Sequence, residues 1–476
     1  MREARPDPAP GGSRRRDICV TIRRRVNPAR AILLDPNAPS PVLYRPVRGD
    51  GAIGGAASMR PARDAIFTAV ACALLAAAPT FSQDLSSITN SSSTGSGVER
   101  IGPFSPDVSL AVDALAAAGD VDAAETGPYA DLDLDLELEA VTRGGLRWGA
   151  AFGVRARRGD GRRGFARPVG DCPVTVAGCP AIGGRTPAGA ATGLHAAPVL
   201  DAGDPRIALD EAAAFVKGGW GEIRIGRGPG AAALEAAPGP GAFRLARADG
   251  PLIDATGLAL ADTTDRLSGA AAKITARTRR LAGFRASASW TPEADWCGVD
   301  VCRLDGRDAV ATPAVENVRE VGVSFDRRFR SSGRRWTLSA GYAAGEVAGP
   351  LASAFADPWS VSARASLEAG PAAIGVSWLK TNDGFEDGDY EAWAASASIE
   401  RGAWLAALEF AAGDSDFLDA EGWSVQLGAS RLFESGLLLG VGLARAEQTA
   451  PVAGPGGIVG ADADAVIGFV ETGWRF

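Results

Sequence analysis

The last thirteen residues of the chain, Asp464-Ala-Val-Ile-Gly-Phe-Val-Glu-Thr-Gly-Trp-Arg-Phe476, alternate strictly in character. Successive side chains of a strand point to opposite sides, so this stretch has two faces. One face is largely apolar and ends on Trp474 and Phe476, and the other carries Glu471, Gly473 and Arg475. Such a strand fits a position with lipid on one side and water on the other. The stretch therefore predicts a membrane-spanning barrel strand.

Three segments precede the expected barrel. Residues 1–58 are Arg-rich and aperiodic, which indicates either a basic arm that binds nucleic acid or, as we favour, a disordered extension upstream of the true start at Met59. Residues 59–82 combine a basic start, an apolar run and small residues at the end, and predict a secretory signal peptide. Residues 83–104 read as a polar N-terminal segment. We expect the barrel over 105–476.

The charge balance argues against a nucleic-acid partner. The chain has 49 basic and 57 acidic residues; without the 13 basic and 6 acidic residues of 1–82, 36 face 51, a net charge of −15. A strongly acidic chain is a poor match for nucleic acid. Nothing after residue 82 is apolar enough for a membrane-spanning helix, so strands must provide any membrane crossing.

Four cysteines lie beyond the signal peptide, in two close pairs. Cys172 and Cys179 form one pair, and Cys297 and Cys302 form the other, each among Pro, Gly and Asp. In an exported protein this spacing favours two local disulfides on outer loops. A four-cysteine zinc site is the alternative, although the spacing departs from the usual zinc knuckle.

Alternating segments separated by turn residues recur along the whole of the expected barrel. An even number of antiparallel strands lets the first pair with the last and leaves no edge. The pattern predicts an all-β fold, a transmembrane antiparallel barrel of about sixteen strands, at 106–118, 128–141, 145–156, 205–217, 221–227, 268–279, 283–291, 315–329, 335–347, 358–369, 372–381, 389–400, 403–412, 423–433, 437–447 and 464–476.

The connections between these strands alternate in length. Short turns alternate with longer loops, which include 413–422 and the Pro/Gly-rich 448–463, as expected for tight periplasmic turns and longer outer loops. A soluble β-sandwich is the alternative. Its core would be hard to fill, because the faces opposite the apolar ones carry mostly small or charged residues.

Two stretches resemble the hairpins that flank the constriction loop in Gram-negative porins, particularly the alphaproteobacterial general porins. The first is Asp210–Arg227, with the aromatic-Gly pair Trp220-Gly221 and the strand end Gly226-Arg227. The second is Ile274–Pro292, in which Leu281 replaces the first Phe of the usual Phe-Ala-Gly-Phe pattern. The resemblance spans about 100–476. It implies an outer-membrane barrel with an inward-folded third loop, and an association of three such barrels.

The third outer loop, at about 228–267, is then expected to form the constriction. Its charged residues are Glu235, Arg244, Arg247, Asp249, Asp254, Asp262, Asp265 and Arg266. The predicted pore-lining residues on the strands are Asp131, Asp133, Asp135, Glu137, Glu139, Arg147, Arg155, Arg157, Lys273, Arg277 and Arg279. A basic wall facing an acidic loop would create a transverse field. Neutralisation of adjacent acidic and basic strands by cross-strand pairs is the equal alternative.

Sequence motifs for other activities lack their structural context. Gly159–Gly164 matches a dinucleotide fingerprint but has no helix after it. The acidic loop Asp414–Glu421 lacks the spacing of a calcium-binding EF-hand. A barrel hydrolase needs a histidine base in or beside the wall, and the single histidine, His195, lies in the expected loop 157–204. We expect neither cofactor, metal nor catalysis.

These patterns predict an outer-membrane porin. It would be a water-filled channel for passive diffusion of small hydrophilic solutes and ions, with a weak cation preference because fixed negative charge favours cations in a narrow passage. Its expected partners are outer-membrane lipids, those solutes and two further copies of the chain. A plugged barrel acting as adhesin or structural anchor is the alternative, and it requires 228–267 or 157–204 to fill the lumen.

Overall fold

The computed structural model of the protein describes residues 105–121, 128–158, 169–197, 206–249, 253–294, 310–454 and 457–475. Sixteen antiparallel strands form a closed barrel in which every strand pairs with its neighbours in the chain. β1 and β16 close the ring, from Ala111 opposite Arg475 to Val121 opposite Ala465. The predicted fold class and strand number are confirmed.

The strands are β1 Ser105–Val121, β2 Pro128–Val141, β3 Arg147–Arg158, β4 Arg206–Gly218, β5 Gly221–Arg227, β6 Ala272–Thr278, β7 Phe284–Glu293, β8 Ala314–Arg328, β9 Arg335–Ala348, β10 Trp359–Ala369, β11 Ala372–Thr381, β12 Tyr390–Arg401, β13 Trp404–Ser415, β14 Ala420–Leu432, β15 Leu437–Gly454 and β16 Gly457–Arg475. Shorter elements are the helix α1, Ala231–Glu235, two 3-10 turns, Ala352–Ala354 and Asp416–Leu418, and a two-residue parallel pair, Thr186–Pro187 with Val310–Ala311.

The alternation of each strand separates a lipid-facing side from a lumen-facing side. Exposed large apolar residues occur on almost every strand, for example Phe152, Leu338 and Leu427, whereas the intervening positions are small, polar or covered. In β16, Val466 and Val470 are exposed while Ile467, Phe469 and Glu471 are buried. A closed sheet has only these two sides, so the exposed apolar band is the surface that contacts lipid.

Two expected loops are shorter than the sequence indicates. Residues 448–463 mostly extend the β15–β16 hairpin, which is paired as far as Gly454 opposite Gly457. The acidic stretch 413–422 is paired at both ends, with only the turn Asp416–Leu418 between. The Gly and Pro residues signal loops locally, but pairing with a neighbouring strand satisfies the backbone and overrides that signal.

The two ends of the barrel differ in their connections. Short turns join each even-numbered strand from β2 to β14 to the strand that follows it. The end of the barrel that carries these turns is the periplasmic one by the general rule for such barrels. Gly221 begins β5 at a φ of +142°, where an added Cβ would lie 2.1 Å from the Arg277 carbonyl oxygen. A glycine is therefore required after Trp220.

Several expectations fall beyond the described residues. These are the extension 1–58, the signal peptide 59–82, the segment 83–104, and the Cys297–Cys302 pair. The Cys172–Cys179 disulfide is present, as predicted. In the described part of the chain, no helix has the length and apolar character to cross a membrane.

Candidate functional site

The connection between β5 and β6, residues 228–271, is named the constriction loop here, after the role predicted for it. Its side chains and backbone contact the inner positions of strands all around the ring, including Asp113 on β1, Ser324 on β8, Ser360 on β10 and Glu471 on β16. Strands so far apart on the ring share only the lumen. The loop therefore lies inside the barrel, as the resemblance implied for the third outer loop.

The loop begins with helix α1, which packs on β8 and β9. An added Cβ on Gly322 would lie 2.4 Å from the Ala231 carbonyl oxygen, and one on Gly341 would lie 2.7 Å from the Ala232 Cβ. The Ala231 N–H donates to Glu320 Oε2 at 2.8 Å and to Ser289 Oγ at 3.0 Å. Small wall residues thus let the helix approach, and polar ones hold its first turn.

The middle of the loop is fixed by Arg244. Its guanidinium donates to Asp113, to Asp133 and, at 3.3 Å, to Asp131. Arg155 on β3 supplies a second cation, with Nε 2.8 Å from Asp131 Oδ1. The three aspartates are buried, and contact with these arginines offsets the cost of burying their negative charges.

A carboxylate on β16 holds the backbone of the same loop segment. Glu471 accepts the N–H of Arg244 at 2.8 Å, of Leu245 at 3.0 Å and of Ala246 at 3.2 Å. The adjacent Phe243 meets Phe469 edge-on with ring centroids 4.8 Å apart. Three strands, β1, β2 and β16, therefore anchor one short stretch of the loop.

The last part of the loop follows the inner faces of β10–β13. The Ala248 N–H donates to Glu409 Oε2 at 3.1 Å, and Arg364 donates to the Thr263 carbonyl oxygen at 2.9 Å. Asp265 is buried and accepts the Ser360 hydroxyl at 2.8 Å. Burial, together with the charge of Glu320, raises the pKa of the Asp265 carboxyl to about 7.

A second segment, residues 169–197, covers the long-loop end and is named the outer cap here. Residues 186–197 are all buried. The cap forms one apolar cluster with the constriction loop and the barrel wall, comprising among others Cys172, Leu194, Ala248, Leu260, Leu379 and Tyr390. Part of the outer mouth is therefore filled by dry packing.

Asp383, in the β11–β12 connection, anchors the outer cap. Its carboxylate accepts the N–H of Ala191 at 2.8 Å, the N–H of Thr192 at 2.9 Å and the Thr192 hydroxyl. Burial raises the pKa of the Asp383 carboxyl, and the hydrogen bonds from Thr192 and Ala191 partly offset that rise. His195 is buried in the same cap, and its Nδ1 accepts the Ala197 N–H at 3.2 Å.

Towards the short-turn end, the wall from β2 to β6 carries ion pairs that stay partly exposed. Lys217 Nζ lies 2.5 Å from Glu137 Oε1, Arg224 Nε lies 2.9 Å from Glu222 Oε1, and Arg277 Nε lies 2.6 Å from Glu235 Oε1. The side chains of Glu137 and Arg277 are 34% and 26% exposed. This surface is named the open charged wall and consists of Glu137, Glu139, Arg147, Lys217, Glu222, Arg224 and Arg277.

The predicted residues divide between these surroundings. Asp131, Asp133 and Arg155 lie under the loop, and Lys273 is buried, donating to Ser268 Oγ at 2.7 Å. Asp135 is half-buried. The loop residues Glu235, Asp249, Asp254, Asp262 and Asp265 are buried, and Arg244, Arg247 and Arg266 are half-buried.

Two predicted pore-lining residues stand apart from the rest. Arg279 lies beyond the end of β6, exposed in the turn. Arg157 belongs to β3, but its side chain is not among the described ones.

Several inner residues that hold the loop are not indicated by the sequence analysis above. These are Asp113, Glu320, Arg364, Tyr390 and Glu409. They occupy the alternate strand positions that face the lumen, so the sequence could have predicted that they point inward. Their loop partners lie between 89 and 161 residues away along the chain, and no local pattern indicates those pairings.

Both predicted charge arrangements occur, at different places. Arg155 and Asp131 are a neutralising pair between neighbouring strands, and Arg277 with Glu235 joins a basic wall residue to an acidic loop residue. Arg244 makes the opposite connection, from a basic loop residue to an acidic wall. Among the described residues, no group of three or more His, Cys, Asp or Glu is arranged to hold a metal ion.

A closed sixteen-stranded barrel with an apolar belt and a loop folded into its lumen defines an outer-membrane channel protein. The sequence pattern of the Gram-negative porin family matches residues 67–451, and the chain belongs to that family. Its location is accordingly the bacterial outer membrane.

Solved porin structures are similar to this chain at low sequence identity. An anion-selective porin from Comamonas acidovorans is 16% identical, with 78% of this chain and 100% of that chain covered and a TM-score of 0.46. The trimer form of OmpT from Vibrio cholerae is 11% identical over 78% and 99%, with a TM-score of 0.45. The channel DcaP of Acinetobacter baumannii is 9% identical over 80% and 100%, with a TM-score of 0.45. None of the curated protein sequences matches this chain.

Proposed function

We propose that this porin is a passive channel for small hydrophilic solutes and ions. The observation that carries the proposal is the open charged wall. Its lumen-facing ion pairs remain partly exposed, whereas equivalent side chains under the constriction loop are dry. Charged groups held in pairs but still hydrated are what a water-filled passage beside a packed loop requires.

Within this function, we propose a weak cation preference. The predicted mature chain carries a net charge of −15, and residues 235–266 carry five acidic groups against three Arg. Fixed charge in a narrow passage acts over about 8 Å at physiological salt. Because the arginines of the wall are mostly paired with carboxylates, the excess of negative charge sets the sign.

Reconstitution into a planar bilayer tests both statements. Stepwise increases in current are expected on insertion, and the reversal potential in a salt gradient should show a modest preference for cations. Clear anion selectivity that survives the substitutions Arg155→Gln and Arg277→Gln would contradict the proposed charge preference. The absence of steps from a correctly folded barrel would contradict the channel itself.

The outer cap favours a second candidate, a plugged barrel that serves as adhesin or structural anchor. Residues 186–197 are buried without interruption and pack on the constriction loop. In that case, folded protein would insert into the bilayer and give no ion current. If protein with an intact cap gives no current and protein with an opened cap conducts, the cap is the plug.

We also propose that the barrel functions as a homotrimer without catalytic activity. The OmpT structure from Vibrio cholerae is described as a trimer form, which supports the assembly. The single histidine of the chain is buried in the outer cap with Nδ1 engaged by backbone, which supports the lack of a base. Light scattering of the detergent-solubilised protein, corrected for bound detergent, gives the mass of the assembly, and a monomer mass would contradict the trimer.

A further inference from the structure

In the β6–β7 hairpin of the barrel wall, every charged residue before Glu293 is basic. Between Asp265 and Glu293 the sequence contains no acidic residue, but it contains Arg266, Lys273, Arg277, Arg279, Arg280 and Arg285. Four of these arginines fall within nine residues around the short turn that joins the two strands. A cluster of this kind raises the local concentration of anions.

Arg285 places one of these charges in the lumen. It shares its face of β7 with Ser287 and Ser289, whose hydroxyls donate to the Ala231 carbonyl oxygen and to Glu320 Oε2. The neighbouring Phe284 is 62% exposed on the opposite, lipid-facing side. Arg285 therefore points inward near the short-turn end of the barrel.

The carboxylates around Arg285 already have partners. Glu235 accepts from Arg277 at 2.6 Å and from the Ser324 hydroxyl, so both of its oxygens are occupied. Glu222 accepts from Arg224 at 2.9 Å. Asp326 forms a two-point pair with Arg335, at 2.7 and 2.9 Å.

Arg285 is accordingly a surplus cation. Within the described ranges, its guanidinium has no hydrogen bond or ion pair, and its Nε is buried without an acceptor. Its electrostatic neighbours include the cations Arg277 and Arg280. The side chain as a whole is half-buried, so its positive charge still reaches the lumen and attracts anions there.

We propose that Arg285, together with Arg280 and Arg277, forms a weak binding site for small oxyanions at the periplasmic end of the lumen. The ligand chemistry is a carboxylate or a phosphate, because the planar guanidinium fork matches two oxygens of either group. The proposal rests on the channel function above. Solutes that bear a carboxylate or phosphate would bind transiently at this site during passage. The preference between simple cations and anions would still depend on the total charge of the channel.

The test adds inorganic phosphate or succinate to each side of a bilayer that holds the channel in potassium chloride. Current should fall in a saturable way, with the lower half-blocking concentration on the short-turn side. In Arg285→Gln that concentration should rise roughly tenfold, since one charge-assisted donor group is lost. Arg285→Lys keeps the charge but not the fork, and it should give an intermediate value.

The matched control is Arg334→Gln, which removes the same charge from an exposed position in the β8–β9 turn and should leave the block unchanged. Equal block in Arg285→Gln and Arg334→Gln would overturn the site. The unblocked step size in potassium chloride reports that each variant forms the channel.

A binding measurement separates failure of the site from failure of the channel. If the wild-type protein gives no current steps, phosphorus NMR of inorganic phosphate with the detergent-solubilised barrel measures the same affinity without conduction. Binding that weakens in Arg285→Gln would then support the site alone. No difference from Arg334→Gln would refute it.

Discussion

Charged side chains on the inner wall have two different surroundings. Under the constriction loop, Asp113, Asp131 and Asp133 are buried and held by Arg244 and Arg155. On the open charged wall, Arg147 pairs with Glu139 at 3.2 Å while 52% of its side chain remains exposed. Both groups pair carboxylates with arginines, but only the second group remains partly exposed.

This difference separates two roles for the same chemistry. A buried ion pair loses much when one partner is removed, because the other charge stays desolvated, whereas an exposed pair contributes about 0–1 kcal/mol. The buried pairs therefore fix the shape of the passage. The exposed pairs set its local electrostatic potential with little effect on stability.

Removal of Arg244 should give the largest effect. Arg244→Ala removes a cation that contacts three buried aspartates, and we expect a loss of about 3–5 kcal/mol in the free energy of unfolding. Single-channel conductance should rise as the loop leaves the wall. Denaturant unfolding in detergent and bilayer recording measure the two quantities. Arg147→Ala is the control, and similar losses in both variants would break the comparison.

Removal of the anchor of the outer cap should have the next largest effect. Asp383→Ala leaves two N–H groups and one hydroxyl without their acceptor, and we expect the cap to be destabilised by about 2–3 kcal/mol. Trypsin cleavage after Arg185 should accelerate. Asp387→Ala, at an exposed position of the same connection, should leave the cleavage rate unchanged.

The conductance of the Asp383→Ala variant sharpens the functional question. A rise in conductance would show that the outer cap obstructs the passage. Unchanged conductance with rapid cleavage at Arg185 would place the passage entirely along the open charged wall.

The pH dependence of the loop tests the covered wall from another direction. The pKa of Asp265 is about 7, above the ordinary value of 3.8, so the protonated form is the one favoured in the fold. The protonated Asp265 carboxyl contributes fully to the free energy of unfolding below about pH 4. This contribution is lost as the pH rises through 7, and we expect the free energy of unfolding to fall by about 1–3 kcal/mol. Asp265→Asn should remove this dependence. Denaturant unfolding at several pH values between 4 and 8 measures this dependence. The same change in the free energy of unfolding with pH in both proteins would contradict the prediction.

The smallest effect is expected on the open charged wall. Arg147→Gln should change the free energy of unfolding by less than about 1 kcal/mol. The substitution removes the cation paired with Glu139, so the reversal potential in a salt gradient should move slightly towards cation selectivity. In 1 M salt this change should be suppressed by screening. A movement towards anions would show that Glu139 lies away from the ion path.

The sequence was sufficient for the barrel and for the face of each residue. Strict alternation, as in β16, gives the strands, and turn residues such as Gly370-Pro371 give the short turns. It was insufficient where pairing continues through turn-like residues, as at Pro451 opposite Gly460. It also failed at Arg279, whose parity continues that of Lys273 and Arg277 although the strand ends at Thr278.

The site was predicted as a list of residues and only in part as contacts. Arg277 and Glu235 belong to the predicted wall and loop, and they meet at 2.6 Å. The pairing of Arg244 with Asp113, or of Ala248 with Glu409, depends on the path of the loop through the lumen. Alternation specifies the side of the sheet and contains no information about that path.

The anchoring of the constriction loop on β16 has a kinetic consequence. Arg244 and Glu471 are separated by 227 residues, and β16 is the last strand of the barrel in the chain. Folding slows when native contacts join distant parts of the sequence, because the intervening chain must first be ordered. The loop reaches its final position only after the ring has all of its strands. Until then, a half-assembled barrel exposes both its unpaired edge strands and the apolar loop residues, so this period is when the nascent protein most needs protection from aggregation.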